Sequence, residues 1–390
     1  MLAESLQDPV LRRWHWRRLR RKAAVNPNPP PARPGDAAVE GTAIYLNALT
    51  RGNETEAAQG LRMLVAAADQ AIAPSGITRE GSSLRQKQLA ELYVGAWLAA
   101  RRGGRPEQWR LAAIARSLIA ALEAITLPGG LPEIGGDPRA ADSQAIPEED
   151  HSAAQELRRQ ARLDDLEALR ADGWLRLDAG PWSGLWHCPT DGWPAFDGLA
   201  HQDATACEIH WRGEPLFVDP GSPPADGPEL EQLYRSHAVH NGISLDGRDP
   251  YPLDRPLYDA AFRRDIAGPE PILRSTADGV RVVTDGYARF GGHRQIERHW
   301  RFVDNVLRID DLILGTGRPL IERRLITPWQ VTKDGNDVIL GDRLRIVGDH
   351  PATLHPARRW VAGEEQPLTL ILFAGRANLP WRGGITVQPV

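Results

Sequence analysis

Three short segments of this 390-residue chain carry side chains of metal-ligand type. They read Gly198-Leu-Ala-His201-Gln-Asp203, then Leu216-Phe-Val-Asp219-Pro-Gly221, then Tyr234-Arg235-Ser236-His237-Ala-Val-His240-Asn241. Two imidazoles and one carboxylate, with a position left for water, suit a single zinc ion in an open site. His201, Asp219 and His240 are the candidate ligands. The gaps between them are too long for a local zinc motif, so such a site exists only if the fold assembles it. The competing reading makes both histidines hydrogen-bonded loop residues and Asp219 a turn former before Pro220-Gly221, in a chain with 11 histidines.

The elements around these residues read as β structure. Thr205 to Trp211 alternates small or apolar with polar residues, as a half-buried strand does. Arg212-Gly213-Glu214 is a turn, and Pro215 to Val218 reads as the return strand. His201 then precedes one strand of a hairpin and Asp219 follows the other, so the two ends meet. After His240, Gly242 to Asp246 is a further β-like run closed by Gly247.

The three segments resemble the C-terminal domain of the heparinase II/III-like polysaccharide lyases. That family carries Gly-His-x-His-x-Asp, then Val-Asp-Pro-Gly, then Arg-Ser-Thr-x-x-His-Asn before a Val-Asp-Gly strand. Here the matching residues are Gly198 to Asp203, Val218 to Gly221, Arg235 to Asn241, and Leu245-Asp246-Gly247. The resemblance implies zinc on His201, Asp219 and His240. It also implies β-elimination on an acidic, uronate-containing polysaccharide or oligosaccharide. Removal of the C5 proton is eased when the neighbouring carboxylate is neutralised, and the step needs a base and an acid.

The acid/base half departs from the family pattern. Where the family has Glu-x-Ser-x-x-Tyr-His, this chain has Glu80-Gly-Ser82-Ser-Leu-Arg85-Gln86, and Leu199 replaces the first His of the first element. Tyr234 and His237 are the replacement candidates for base or acid, with Arg85 and Arg235 to hold the carboxylate. Asn241 and Glu80 are candidate substrate contacts, and Glu80 and Asp203 are alternatively groups that orient the histidines. Two other readings stand beside the lyase. One is a catalytically degenerate carbohydrate-binding or envelope-associated protein that keeps the metal site. The other is a glycoside hydrolase using Glu80 and Asp137.

Outside these segments the chain divides by hydrophobic period. Residues 12 to 22 hold seven Arg or Lys around Trp14 and Trp16, either a basic amphipathic helix or a solvated face. A Pro-rich stretch from Asn26 to Pro34 follows, giving a segment 1–38 of basic and linker character. Leu61, Leu64, Val65 and Ala68 repeat at helical spacing, as do Leu89, Leu92, Tyr93 and Ala96, and Leu111, Ile114, Ala115 and Leu118. A further helix is expected from about Ala153 to Ala171. From Trp174 the runs are short and alternating. The expected fold is α+β and multidomain: a row of antiparallel helices over 39–173, which the family resemblance implies is an incomplete, shortened (α/α) toroid, followed by an antiparallel β-sandwich over 174–390.

Net charge is −4, which gives no reason to expect nucleic acid. No apolar run reaches membrane-spanning length, and no signal-peptide pattern opens the chain. A cytoplasmic location is the expectation as written, with the periplasm as the family's alternative. The 13 tryptophans are read chiefly as core or rim packing, and Cys188 and Cys207 as either a pair or two buried thiols.

Overall fold

The structure, a computed structural model, describes residues 33–136, 150–163, 165–190, 192–195, 198–223, 227–292, 294–361 and 364–390. The basic stretch around Trp14 and Trp16 lies outside them, as does Asp137.

The described residues open with four long helices: α1 (Pro34–Arg51), α2 (Glu54–Ala71), α3 (Ser83–Arg102) and α4 (Gln108–Ile125). The first begins at Pro34, inside the stretch that composition assigns to a linker ending at 38. Proline fits there because the first helical position needs no N–H donor and its φ is already helical. Asn53 and Ser82 cap α2 and α3 by accepting the backbone N–H of Glu56 and Arg85. The periodic residues face inward: Leu64, Leu89, Tyr93, Leu111 and Leu118 join Tyr45 in one core. The helix expected at 153–171 is two pieces, α5 (His151–Gln160) and α6 (Leu166–Ala171). The Asp165 carboxylate accepts the Ala168 N–H and starts the second piece afresh.

From Trp174 the structure is dominated by antiparallel strands. A four-stranded sheet runs in order β1 (Trp174–Ala179), β2 (Trp182–His187), β3 (Cys207–Trp211), β4 (Glu214–Phe217). Then come α7 (Pro228–Arg235), β5 (Ile243–Leu245) and α8 (Ala260–Ala267). The remaining strands are β6 (Ile272–Ser275), β7 (Gly279–Thr284), β8 (Gln295–Val303), β9 (Val306–Leu314), β10 (Leu320–Thr327), β11 (Val331–Asp334), β12 (Asp337–Leu340), β13 (Leu344–Gly348), β14 (Ala352–Val361), β15 (Glu364–Arg376) and β16 (Trp381–Pro389). They form an eight-stranded sheet, β11-β12-β13-β16-β9-β8-β7-β6, and a four-stranded one, β14-β15-β10-β5. The facing surfaces bury Trp186, Ile209, Phe217, Trp300, Ile309, Leu344 and Phe373 in the sandwich core. Cys188 and Cys207 sit in that core as two buried thiols, not joined by a disulfide.

A third cluster straddles the helical and β parts. Ile77, Ile125, Leu127 and Ile134 from the helical side pack with Leu169, Trp174 and Leu185. It has a local consequence for β3, which was expected to be half-buried. Cys207, Ile209 and Trp211 do point into the sandwich core. Glu208 and His210 are nonetheless also buried, at 3 % and 1 % exposure, because the helical side covers the polar face.

Candidate metal centre

The β3–β4 hairpin turns through Arg212 and Gly213, whose φ values of 52° and 78° are the positive pair that a two-residue hairpin turn requires. Trp211 pairs with Glu214, and the register shifts by a bulge at Ile209/His210. Asp219 follows the end of β4. The segment bearing His201 is drawn in by backbone bonds on both sides. Leu199 N–H donates to the Glu80 carbonyl (2.6 Å) and Gln202 N–H to the Arg235 carbonyl (3.0 Å). His240 follows a single 3-10 turn, His237–Val239. The candidate ligand atoms of His201, Asp219 and His240 consequently lie within 4.8 Å of one another, all three side chains buried. The two imidazole centroids are 5.0 Å apart.

Their hydrogen bonding is unequal. His240 Nδ1 lies 2.8 Å from Asp219 Oδ2, and its Nε2 lies 2.7 Å from the Tyr234 carbonyl oxygen. Burial opposes charge on this ring, but the Asp219 carboxylate outweighs it and pushes the pKa up to about 9. The Gly221 N–H donates to the other Asp219 oxygen at 2.9 Å. His201 has no hydrogen-bond partner in the protein on either ring nitrogen. Burial, followed by the nearby His240, holds it well below the usual histidine range. Burial likewise pushes Asp203 up to about 7, and its Oδ1 has no hydrogen-bond partner. An imidazole buried with both nitrogens unshared is costly. A divalent ion accepting one of them, beside a second imidazole and a carboxylate, removes that cost, so the donor set fits zinc.

Several candidate catalytic and substrate residues are committed elsewhere. Arg85 is 1 % exposed and bonds Glu80, Asp36 and Gln88, so its guanidinium clamps the helical unit rather than a substrate. Glu80 is the other half of that clamp and also accepts the Gly35 N–H. Gln86, where the family has His, is buried and bonds three backbone groups: the Thr78 N–H and the carbonyls of Gly76 and Leu118. Asn241 is a strut. Its amide donates to the Cys207 and Val218 carbonyls and accepts the Ile326 N–H, tying β3, the end of β4 and β10 together. The Tyr234 hydroxyl donates to the Arg358 carbonyl at 2.8 Å. Burial pushes its pKa up to about 12, away from a base acting near neutrality.

Two candidates are less fully committed, although the His237 side chain is buried. Arg235 lines a cavity of about 260 Å³ with Gln202, Glu231, Gln232 and Asp254. His237 Nδ1 lies 2.7 Å from Asp249 Oδ1, which also accepts the His237 backbone N–H at 3.0 Å, while Nε2 has no hydrogen-bond partner. Asp249 was missed, since an Asp before Pro250 reads only as a turn former. Glu208 and His210 were missed as ordinary strand polar positions.

Residues 161–346 match the family described as heparinase II/III-like, C-terminal. Over that stretch the chain is similar to this family. Solved heparinase-type structures share the fold over nine tenths or more of this chain. A heparan sulfate lyase HepC mutant from Pedobacter heparinus is 14% identical, with TM-score 0.62, over 90% of this chain and 59% of its own. A crystal structure of heparinase III is 14% identical, with TM-score 0.65, over 91% of this chain and 61% of its own. Another, the heparinase III-BT4657 gene product, is 14% identical, with TM-score 0.65, over 98% and 63%. The heparinase-like chain thus spans about three fifths of the length of these structures. At such identity they establish the toroid and β-sandwich architecture alone. No curated protein matches the chain.

Proposed function

We propose that this heparinase-like chain cleaves a uronate-containing polysaccharide by β-elimination, with His237 as the base and Arg235 facing the uronate carboxylate. The observation that supports this is the His237–Asp249 pair. Asp249 fixes the proton on Nδ1, which leaves the Nε2 lone pair available. Nε2 takes the C5 proton, the C5–H electrons form the C4–C5 double bond, and the C4–O bond breaks. The resulting imidazolium returns the proton to the leaving glycosidic oxygen. His201, Asp219 and His240 would hold a zinc ion, which would supply structural cross-linking of three segments, the proton transfers resting on His237.

The test is ultraviolet absorbance of unsaturated uronate when the protein meets a panel of polyuronates, with His237→Gln as the inactive control. Product formed equally well by His237→Gln would remove His237 from the mechanism. A second reading, a binding module that has given up chemistry, is favoured by one observation: Nε2 of His237 is shielded from solvent. Polyuronate binding without unsaturated product would decide for it.

A further inference from the structure

Glu208 and His210 face away from the sandwich core, yet every polar atom of the two side chains has a partner. The Gly129 backbone N–H donates to His210 Nδ1 at 3.1 Å. That places the ring proton on Nε2, which donates to Glu208 Oε1 at 2.9 Å. The second oxygen of Glu208 accepts the backbone N–H of Asp219 at 3.1 Å. One continuous chain of hydrogen bonds therefore runs from the turn Leu127–Gly130, after α4 in the helical unit, to the peptide of a candidate metal ligand.

We infer that Glu208 and His210 are positioning residues for the metal centre and couple its affinity to the seating of the 127–130 turn. The inference rests on the metal reading above. Asp219 is gripped at three points: its N–H by Glu208, one carboxylate oxygen by the Gly221 N–H and the other by His240 Nδ1. Removing the first grip lets the peptide rotate and carries the carboxylate with it. The turn end is equally tight. A Cβ on Gly129 would stand 2.7 Å from His210 Nδ1, 2.7 Å from the Gly213 carbonyl oxygen and 2.9 Å from Pro215 Cδ. An alanine there displaces His210, although Gly129 lies in an exposed turn outside the ligand set. By linkage, a metal that selects the correct Asp219 geometry also holds the turn in place.

The probe is cobalt(II) titrated into the metal-stripped full chain, in competition with a chromophoric chelator. Glu208→Gln puts an amide N–H against one of two existing donors, the His210 Nε2–H or the Asp219 N–H. Gly129→Ala acts from the far end and spares the buried charge, so it carries the test if the first variant folds poorly. Each should weaken cobalt binding by about 10- to 100-fold, the range for partners that orient metal ligands, and change the visible cobalt absorption band. The rise in melting temperature on cobalt addition should shrink in step. A merely structural role predicts equal lowering of the metal-free and loaded melting temperatures, with affinity and band unchanged, and that result overturns the inference. A wild type that takes up no cobalt overturns the metal reading itself and the inference with it.

Discussion

His240 Nδ1 and Asp219 Oδ2 stand 2.8 Å apart, so two of the three candidate ligands bond each other while the third, His201, bonds nothing. Replacing His201 with Leu should therefore separate stability from metal binding. In the metal-free protein the change removes two unsatisfied buried nitrogens and should be neutral or stabilising by about 1–3 kcal/mol. Metal content after purification without chelator should fall to background. Denaturant melts with and without zinc check both halves.

The His237–Asp249 pair carries the proposed chemistry, and its two members should fail differently. Asp249→Asn keeps the shape but loses the charge that stabilises the imidazolium and adds an N–H that can hold the wrong tautomer, and should lower turnover by about 10²- to 10⁴-fold with metal content unchanged. Tyr234→Phe, by contrast, loses one bond to the Arg358 carbonyl, about 1 kcal/mol of stability, and no activity. Equal activity in wild type and Asp249→Asn would rule out the assignment.

Arg85 should prove to be a stability residue. It is buried against Glu80, and removing one partner of such a pair typically costs about 3–5 kcal/mol. Arg85→Ala should lower the denaturation midpoint by that order. A turnover defect in folded Arg85→Ala, with stability intact, would restore it to the site.

His187 is buried against Trp174, with ring centroids 4.2 Å apart, and burial holds its pKa down to about 3. The unfolded chain takes this proton near pH 6.5, before the folded one does. Stability from His187 is then full above about pH 6.5 and falls as pH drops toward 3, by about 1.4 kcal/mol per pH unit. His187→Gln, neutral throughout, should flatten that limb of the stability–pH curve.

What could be read from the sequence was local. The Arg212-Gly213 turn and the runs on either side of it are enough to bring His201 and Asp219 to one end of a hairpin. The change of period near Trp174 marks the change of architecture. What could not be read depends on contacts between remote segments. Arg85 looked available because its partner Asp36 lies 49 residues away. Tyr234 looked available because the Arg358 carbonyl is 124 residues away. The alternation of β3 was legible, but not that a turn near Gly129 would bury its polar face.

The cluster of Ile77, Ile125, Leu127 and Ile134 with Leu169, Trp174 and Leu185 has a thermodynamic consequence. Neither side can close its own surface. The helical part without the strands exposes the first four to water. The strands without the helical part expose Trp174 and Leu185 and also leave the faces of Glu208 and His210 unpartnered. Two architectures thus share one cooperative transition: calorimetry of the described fold should show a single heat-absorption peak, and a chain cut near residue 173 should yield two insoluble fragments rather than two domains.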